Sequence, residues 1–478
     1  MKLTFVIPPE PTQEAPAERT AGCTRVVYPA PNIYELSVVA LLEKHGYTVA
    51  YEDFVYDKKS VDDFARFIAG DDSDIYYIWS VNLSRSADLQ AQEIIRKAHP
   101  EAYICFMGPG ATFFTKLYLK DARDVVARGE PEYTVLEWTE AIKNNTAWDE
   151  ISGISYLSEG NLKHNISRHV TKSFDELPYP ARHHIAHRQY HNPKLKLSPY
   201  TTMITSRNCP YKCIYCVPSS LSFARELEYR KDNNRKPPIS FRSIESIEGE
   251  LKELHEAGYR AIGFMDDEFI WTEERTRDIC NLLKKYDFKW GCQARVDMIT
   301  EPIAQMLGES GCMYVDLGVE SFNDEILKFI KKGITKEQIY TAIKLLKKYK
   351  VPVKLNILIG TSPLETKETL RDTLRQAQQL RVDQIMFNIV SPFPGTEFYK
   401  MAKENGWIEG GEYTPTNVQR ESILNYPHLT AREMEKILYN YNLRYFLSPY
   451  VIWSHLRRFT NFSEFFHALK ALKIKLFG

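Results

Sequence analysis

The chain has 478 residues, 44% hydrophobic and 26% charged, with 62 Lys and Arg balancing 62 Asp and Glu. That length predicts two or three domains, and a formal net charge of zero gives no reason to expect a nucleic acid partner. No apolar run reaches the roughly 18 residues of a transmembrane helix, and Met1–Val6 lacks the basic start of a signal peptide, so neither is expected.

Over residues 1–150, apolar strand patterns alternate with helical ones. Strands are expected at Lys2–Pro8, Thr48–Phe54, Asp74–Ser80, Ala102–Met107 and Val125–Arg128, with helices at Tyr34–His45, Ala87–Ala98 and Tyr133–Lys143. Such alternation predicts an α/β fold, a doubly wound parallel sheet whose ligands sit beyond the carboxyl ends of its strands. That places Pro8–Pro9, Ser80–Asn82, Gly108–Thr112 and Gly129–Glu130 around one crevice. Residues 151–198 are a connector, with a glycine-turned hairpin followed by a proline-broken, histidine-rich stretch.

A second alternating series spans 199–405. Strands are expected at 201–206, 260–265, 287–293, 313–319, 352–359 and 384–390, with helices such as Ser243–Ala257, Glu273–Lys285, Asp324–Lys331, Lys336–Lys348 and Thr366–Leu380 between them. Six βα units fit a partial, TIM-like barrel with its working face at the strands' C-terminal ends. Residues 406–478 form a mainly helical C-terminal region.

Of eight cysteines, Cys23, Cys105, Cys280, Cys292 and Cys312 stand alone and are expected to act as small hydrophobes in a reducing cytoplasm. The other three fall within SRNCPYKCIYCVP at 206–218, as Cys209, Cys213 and Cys216. Three thiolates on one loop can share an iron–sulfur cluster, leaving one iron open to a small chelating molecule. The alternative, a zinc knuckle, wants four protein ligands, and no fourth Cys or His lies at matching spacing.

The Cys-x3-Cys-x2-Cys spacing after the first strand of a βα series resembles the radical S-adenosylmethionine superfamily, and Tyr215 matches the aromatic usual before the third cysteine. The resemblance implies a 4Fe-4S cluster, S-adenosyl-L-methionine bound at its open iron, and a 5′-deoxyadenosyl radical that abstracts hydrogen from a small-molecule substrate. It further implies cofactor contacts from Asp266 and Asp267 after the second strand, Arg295 after the third, and Glu320 and Ser321 in the LGVES segment. Gly360 and Glu365 resemble the segment near the adenine, though Asn356 replaces a glycine often seen there. An electron donor, a reductase or a flavodoxin or ferredoxin, is implied as partner.

The segments GPGATFF (108–114) and ARGEPEYTVLEW (127–138), with YPAPNIYELSVVALLEKHGYTVAYEDF before them, resemble the amino-terminal domain of cobalamin-binding radical S-adenosylmethionine enzymes. That implies a flavodoxin-like domain presenting Ser80, Gly108, Gly110, Thr112, Gly129 and Glu130 to cobalamin. The Asp-x-His-x-x-Gly signature of methionine-synthase-type domains is absent, so no histidine of that motif ligates cobalt. Cobalamin-dependent C-methylation is the leading expectation. Radical cyclisation or ring rearrangement of a tetrapyrrole, isoprenoid or lipid is the alternative, and a cluster-bearing binding protein the non-enzymatic one.

Three further segments stand out. His183, His184, His187 and His191 include i,i+4 pairs, but without HExxH or a supporting carboxylate pattern the stretch is expected to be a solvated connector. SPFPGT at 391–396 is a rigid turn suited to shaping a substrate pocket. From Arg444 onward, aromatics such as Trp453 and Phe459 mix with Arg457, Arg458, Lys470 and Lys473, a pattern for peripheral membrane contact or, more commonly, for packing on the body of the protein.

Overall fold

The computed structural model describes residues 1–456 apart from 13, 27 and 196, and side chains as far as Trp453. The chain divides into two compact units. The first joins Met1–Pro210 to Val217–Asp267; the second joins Tyr211–Cys216 to the chain from Glu268 onward.

In the first unit, seven strands make one sheet: β1 (Leu3–Ile7), β2 (Val49–Asp53), β3 (Ile75–Trp79), β4 (Tyr103–Met107), β5 (Asp124–Ala127), β6 (Ile154–Ser158) and β7 (Asn161–His164). Their order is β2-β1-β3-β4-β5-β6-β7, parallel through β5 and antiparallel beyond it. The order 2-1-3-4-5 is that of a flavodoxin-like sheet, with its switch point between β1 and β3. Strands such as LTFVI and IYYIW are buried at every position, as a sheet covered on both faces requires. The hairpin expected in the connector is β6–β7, and it extends this sheet at one edge.

Helices reach their places through local chemistry. Asn32 caps Ile33–Lys44 by accepting from Tyr34 N–H at 3.3 Å. A helix not anticipated from the sequence, Val61–Gly70, starts at a reciprocal Ser60/Asp63 capping box.

The first unit continues with β8 (Tyr200–Met203), β9 (Ser206–Arg207), β10 (Ser240–Phe241) and β11 (Ala261–Phe264), and with helices Ser220–Asn233 and Ile244–Glu256. β8 and β11 pair in parallel, while β9 and β10 form a short antiparallel bridge. In the second unit β12 (Lys289–Ala294), β13 (Cys312–Glu320), β14 (Val353–Ile359) and β15 (Gln384–Ile389) run parallel, side by side, as an open sheet. The connecting helices include Glu273–Lys285, Lys336–Lys348 and Lys367–Gln379. Helices Ala431–Phe446 and Pro449–Leu456 follow, and the rest of the basic, aromatic tail lies outside the described residues.

Candidate active site

The loop carrying the cysteines is anchored at its root within the first unit. Asn208 has φ +73°, a left-handed conformation that Asn tolerates better than most side chains. Its N–H donates to Ser222 Oγ at 2.9 Å and its amide nitrogen to Ser222 O at 3.1 Å, turning the chain from β9 into Cys209. Asp266 is saturated from the same root: it accepts from Thr205 N–H at 3.1 Å, Thr205 Oγ1 at 2.7 Å and Ser206 Oγ at 2.6 Å. A carboxylate so engaged braces the loop. Its neighbour Asp267 accepts from Ser219 N–H at 2.6 Å, yet its Oδ2 is buried with no partner. Burial raises the Asp267 carboxyl above its ordinary range.

Arg207, two residues before Cys209, ion-pairs with Glu130 and, at 2.7 Å, with Glu132. Arg225 lies 3.5 Å from Glu130. Glu130 therefore ties the turn after β5 to the root of the cysteine loop through buried charge pairs.

In the second unit the Cys213–Cys216 arm is held by backbone. Ile214 N–H donates to Ile330 O at 3.1 Å, and Phe398 N–H donates to Ile214 O at 2.9 Å. Phe398 opens the helix Glu397–Glu404, which Thr396 of the SPFPGT turn caps by accepting from Tyr399 N–H. The turn thus supports the cysteine arm. Tyr215 is half-buried and donates its hydroxyl to Glu320; desolvation first, then the charge of Glu320, pushes the phenol well above its usual range. Glu320 sits at a register shift at the end of β13 with φ +65°, strained for a residue with a Cβ. Lys332 reaches it at 2.9 Å, both side chains being buried. Burial lowers the Lys332 ammonium, but Glu320 and Cys213 outweigh it and the net shift is upward. Arg295 lies 3.6 Å over the Tyr211 ring and pairs with Asp297 through two contacts of 2.9 and 3.0 Å. Burial lowers the Arg295 guanidinium, but Asp297, then Tyr211 and Cys213, outweigh it and the net shift is upward.

Ser321, Gly360 and Glu365 also make bonds within the chain. Ser321 Oγ accepts from Asn323 N–H at 3.2 Å, setting the start of helix Asp324–Phe329. Glu365 folds back to accept from Gly360 N–H at 2.7 Å, Thr361 N–H at 2.8 Å and the Thr361 hydroxyl. Gly360 has φ +81°, and a Cβ there would meet Met434 Sδ at 2.7 Å. This is a loop clasp.

The turns of the first sheet are likewise packed by the chain itself. Ser80 Oγ lies 2.6 Å from Tyr118 OH. A Cβ on Gly108 would meet Ser80 O at 2.6 Å, one on Gly110 would meet Ser80 Oγ at 2.8 Å, and one on Gly129 would meet Glu228 Cβ at 3.1 Å. Thr112 accepts from Gly129 N–H at 3.2 Å and also lines a crevice of about 550 Å³ with Phe113, Leu117, Leu162, His164 and Lys231. At these turns the missing Cβ of Gly108, Gly110 and Gly129 lets the chain pack closely against Ser80 and Glu228. At the β1/β3 switch point Arg19 pairs with Asp88 at 2.8 Å, and Glu35 accepts from Trp79 N–H and Asn32. Asn82, just beyond β3, is buried and keeps an amide oxygen with no partner.

Burial raises Glu35 to about 8, Glu268 to about 8 and Glu365 to about 7. A carboxyl raised in the folded state contributes stability that is complete below its unfolded pKa of about 4.3 and is lost as pH rises through the folded value. The urea midpoint is therefore expected to fall between pH 5 and pH 8, monitored by circular dichroism. A midpoint that rises over this interval contradicts the assignment.

Sequence reasoning missed Lys332, Arg207 and Asn208. Arg207 and Asn208 adjoin the cysteine motif, but nothing in their order shows which groups across the unit receive them. Lys332 follows Lys331 in a KKG turn that reads as solvated charge.

Residues 203–392 match the Radical SAM superfamily. The matched span holds the three cysteines, Asp266, Arg295, Glu320 and Lys332. The chain carries a radical SAM domain. It is an enzyme, and the domain takes a 4Fe-4S cluster and S-adenosylmethionine. Outside that domain the likeness continues. An uncharacterized methyltransferase of Pyrococcus horikoshii is 28% identical over 460 residues, covering 95% of this chain and 94% of that protein. Cytidylyl-2-hydroxyethylphosphonate methyltransferase of Streptomyces wedmorensis is 24% identical, covering 82% and 81%. The radical S-adenosylmethionine methyltransferase TsrM from Kitasatospora setae, with cobalamin and a [4Fe-4S] cluster bound, shares the fold. Its TM-score is 0.64 at 16% identity, over 85% of this chain and 79% of that one.

Proposed function

We propose that the protein is a cobalamin-dependent radical methylase acting at an unactivated carbon of a small molecule. The observation that carries this reading is the end-to-end likeness to methyltransferases, 95% of this chain against 94% of one relative. It is supported by a flavodoxin-order sheet preceding the radical SAM domain. In this reading residues 1–150 are the cobalamin-binding-like domain, 151–198 the connector, 199–405 the catalytic domain and 406–478 a helical C-terminal region.

Cys209, Cys213 and Cys216 are the cluster ligands in this assignment. All three are free of disulfides and partly accessible, as thiolates that must meet a cluster need to be. The bound groups supply one-electron reduction of S-adenosylmethionine and a methyl carrier. The protein's own residues do the positioning. The unpartnered Asp267 Oδ2 is an acceptor for an ammonium such as the methionine amino group. Lys332 keeps a positive charge against Glu320 in the field of Cys213. For cobalamin, Asn82 is the fit: its unpartnered buried oxygen at the switch point can accept from a corrin amide. Gly108 and Gly110 pack closely against Ser80 and its neighbours Trp79 and Val81 in that turn.

Anaerobic reconstitution with hydroxocobalamin tests the proposal. Stoichiometric retained cobalt, with S-adenosylhomocysteine formed beside 5′-deoxyadenosine in the presence of substrate, is the expected result. 5′-Deoxyadenosine without retained cobalt or S-adenosylhomocysteine would leave cyclisation or rearrangement as the reaction.

A further inference from the structure

Helix Ile33–Lys44 ends beside the turn Arg182–Ile185, and the two bring together three groups that are far apart in the chain. His184 Nε2 lies 2.7 Å, and His183 Nε2 3.2 Å, from the same Glu43 oxygen, Oε1. One donor atom from each residue lies within 4.8 Å of both others, the one such triad of His, Cys, Asp and Glu among the described residues. The carboxylate that the histidine-rich segment lacks in sequence is thus supplied by the fold.

The turn that presents the imidazoles is fixed from below. Arg182 is buried and pairs with Glu250 at 2.6 Å, donates to Thr201 Oγ1 at 3.0 Å, and Ala181 N–H donates to Leu36 O at 3.0 Å. The rings of His183 and His184 have centroids 4.4 Å apart, tilted by 39°, so both Nε2 atoms can point at one centre. His184 is 17% exposed and His183 64%, which leaves one side of that centre open to solvent.

We propose that Glu43, His183 and His184 form a binding site for a borderline divalent cation of the zinc class, with water completing its coordination. Two imidazole nitrogens and a carboxylate oxygen are a ligand set zinc accepts with an open fourth position. His187 and His191, the other two histidines of the segment, take no part.

The test uses the cluster-loaded protein, so that the cysteines are already occupied. It is dialysed anaerobically against micromolar zinc chloride, and zinc and iron are measured together. One zinc per chain beyond the iron is expected. It is lost in the His183→Ala/His184→Ala double variant, with iron content and circular dichroism unchanged. Glu43→Gln should weaken retention at least about tenfold, since even outer partners of a metal ligand are worth that much. His187→Ala should leave binding as it is. Equal zinc in the wild type and the double variant, loss of zinc in His187→Ala, or no zinc on iron-replete wild type would each overturn the proposal.

Discussion

Replacing Cys213 with alanine is expected to abolish the iron–sulfur absorbance of reconstituted protein and reduce 5′-deoxyadenosine formation to background, while the fold survives. The loss follows from ligand number. With only two thiolates the loop no longer holds three irons, and a cluster that is not seated gives S-adenosylmethionine no metal to chelate. Survival of the fold follows from how the arm is held. Ile214 N–H and C=O, together with Cys216 N–H donating to Cys213 O at 3.3 Å, fix the arm through backbone groups that an alanine keeps. Cys209→Ala and Cys216→Ala should behave alike. Iron and sulfide analysis, product chromatography under a strong reductant and near-ultraviolet circular dichroism read the three outcomes separately. A Cys213→Ala protein that keeps the cluster and its product would show that this thiolate is not a ligand.

How much of this was legible in the sequence depends on the range of the interaction that decides each feature. Strands and helices set by periodicity emerged close to where the pattern put them; Lys336–Lys348 is one, with its Thr335/Gln338 capping box. Segments whose character comes from tertiary burial did not. Helix Ser220–Asn233, which follows the cysteines, has mixed polarity along its length, and Arg225, Glu226 and Glu228 on it are buried only because ion pairs receive them. The same limit applies to the site. Cysteine spacing is local and carries its chemistry in a dozen residues. Asp266 and Glu365 look in sequence like groups awaiting a ligand, and only the fold shows the donors already assembled around them. The glycines at 108, 110 and 129 are ambiguous for a related reason, because close approach to a ligand and close approach to one's own backbone demand the same missing Cβ.

The second large effect is expected at Lys332. Glu320 is buried, its backbone is held at φ +65°, and Lys332 is its cationic partner at 2.9 Å. Removing one member of a buried ion pair leaves the other charge uncompensated, which costs about 3–5 kcal/mol. Lys332→Met keeps most of the stem's apolar contacts and so isolates the charge. It should lower unfolding stability by about that amount, or force Glu320 to take up a proton. Glu320→Gln/Lys332→Met, which removes both charges, should recover much of the loss, because a neutral amide can still accept from Tyr215. The coupling between the two sites in a double-mutant cycle, measured by urea unfolding, is therefore expected to be large and of compensating sign. If stability alone mattered, the double variant would also recover 5′-deoxyadenosine formation. The electrostatic link of Glu320 and Lys332 to Tyr215 and Cys213 predicts otherwise: the double variant should fold and still turn over poorly, since the ammonium that offsets the Cys213 charge is gone. Full activity in a well-folded double variant would reduce the Glu320–Lys332 pair to a brace for the end of β13.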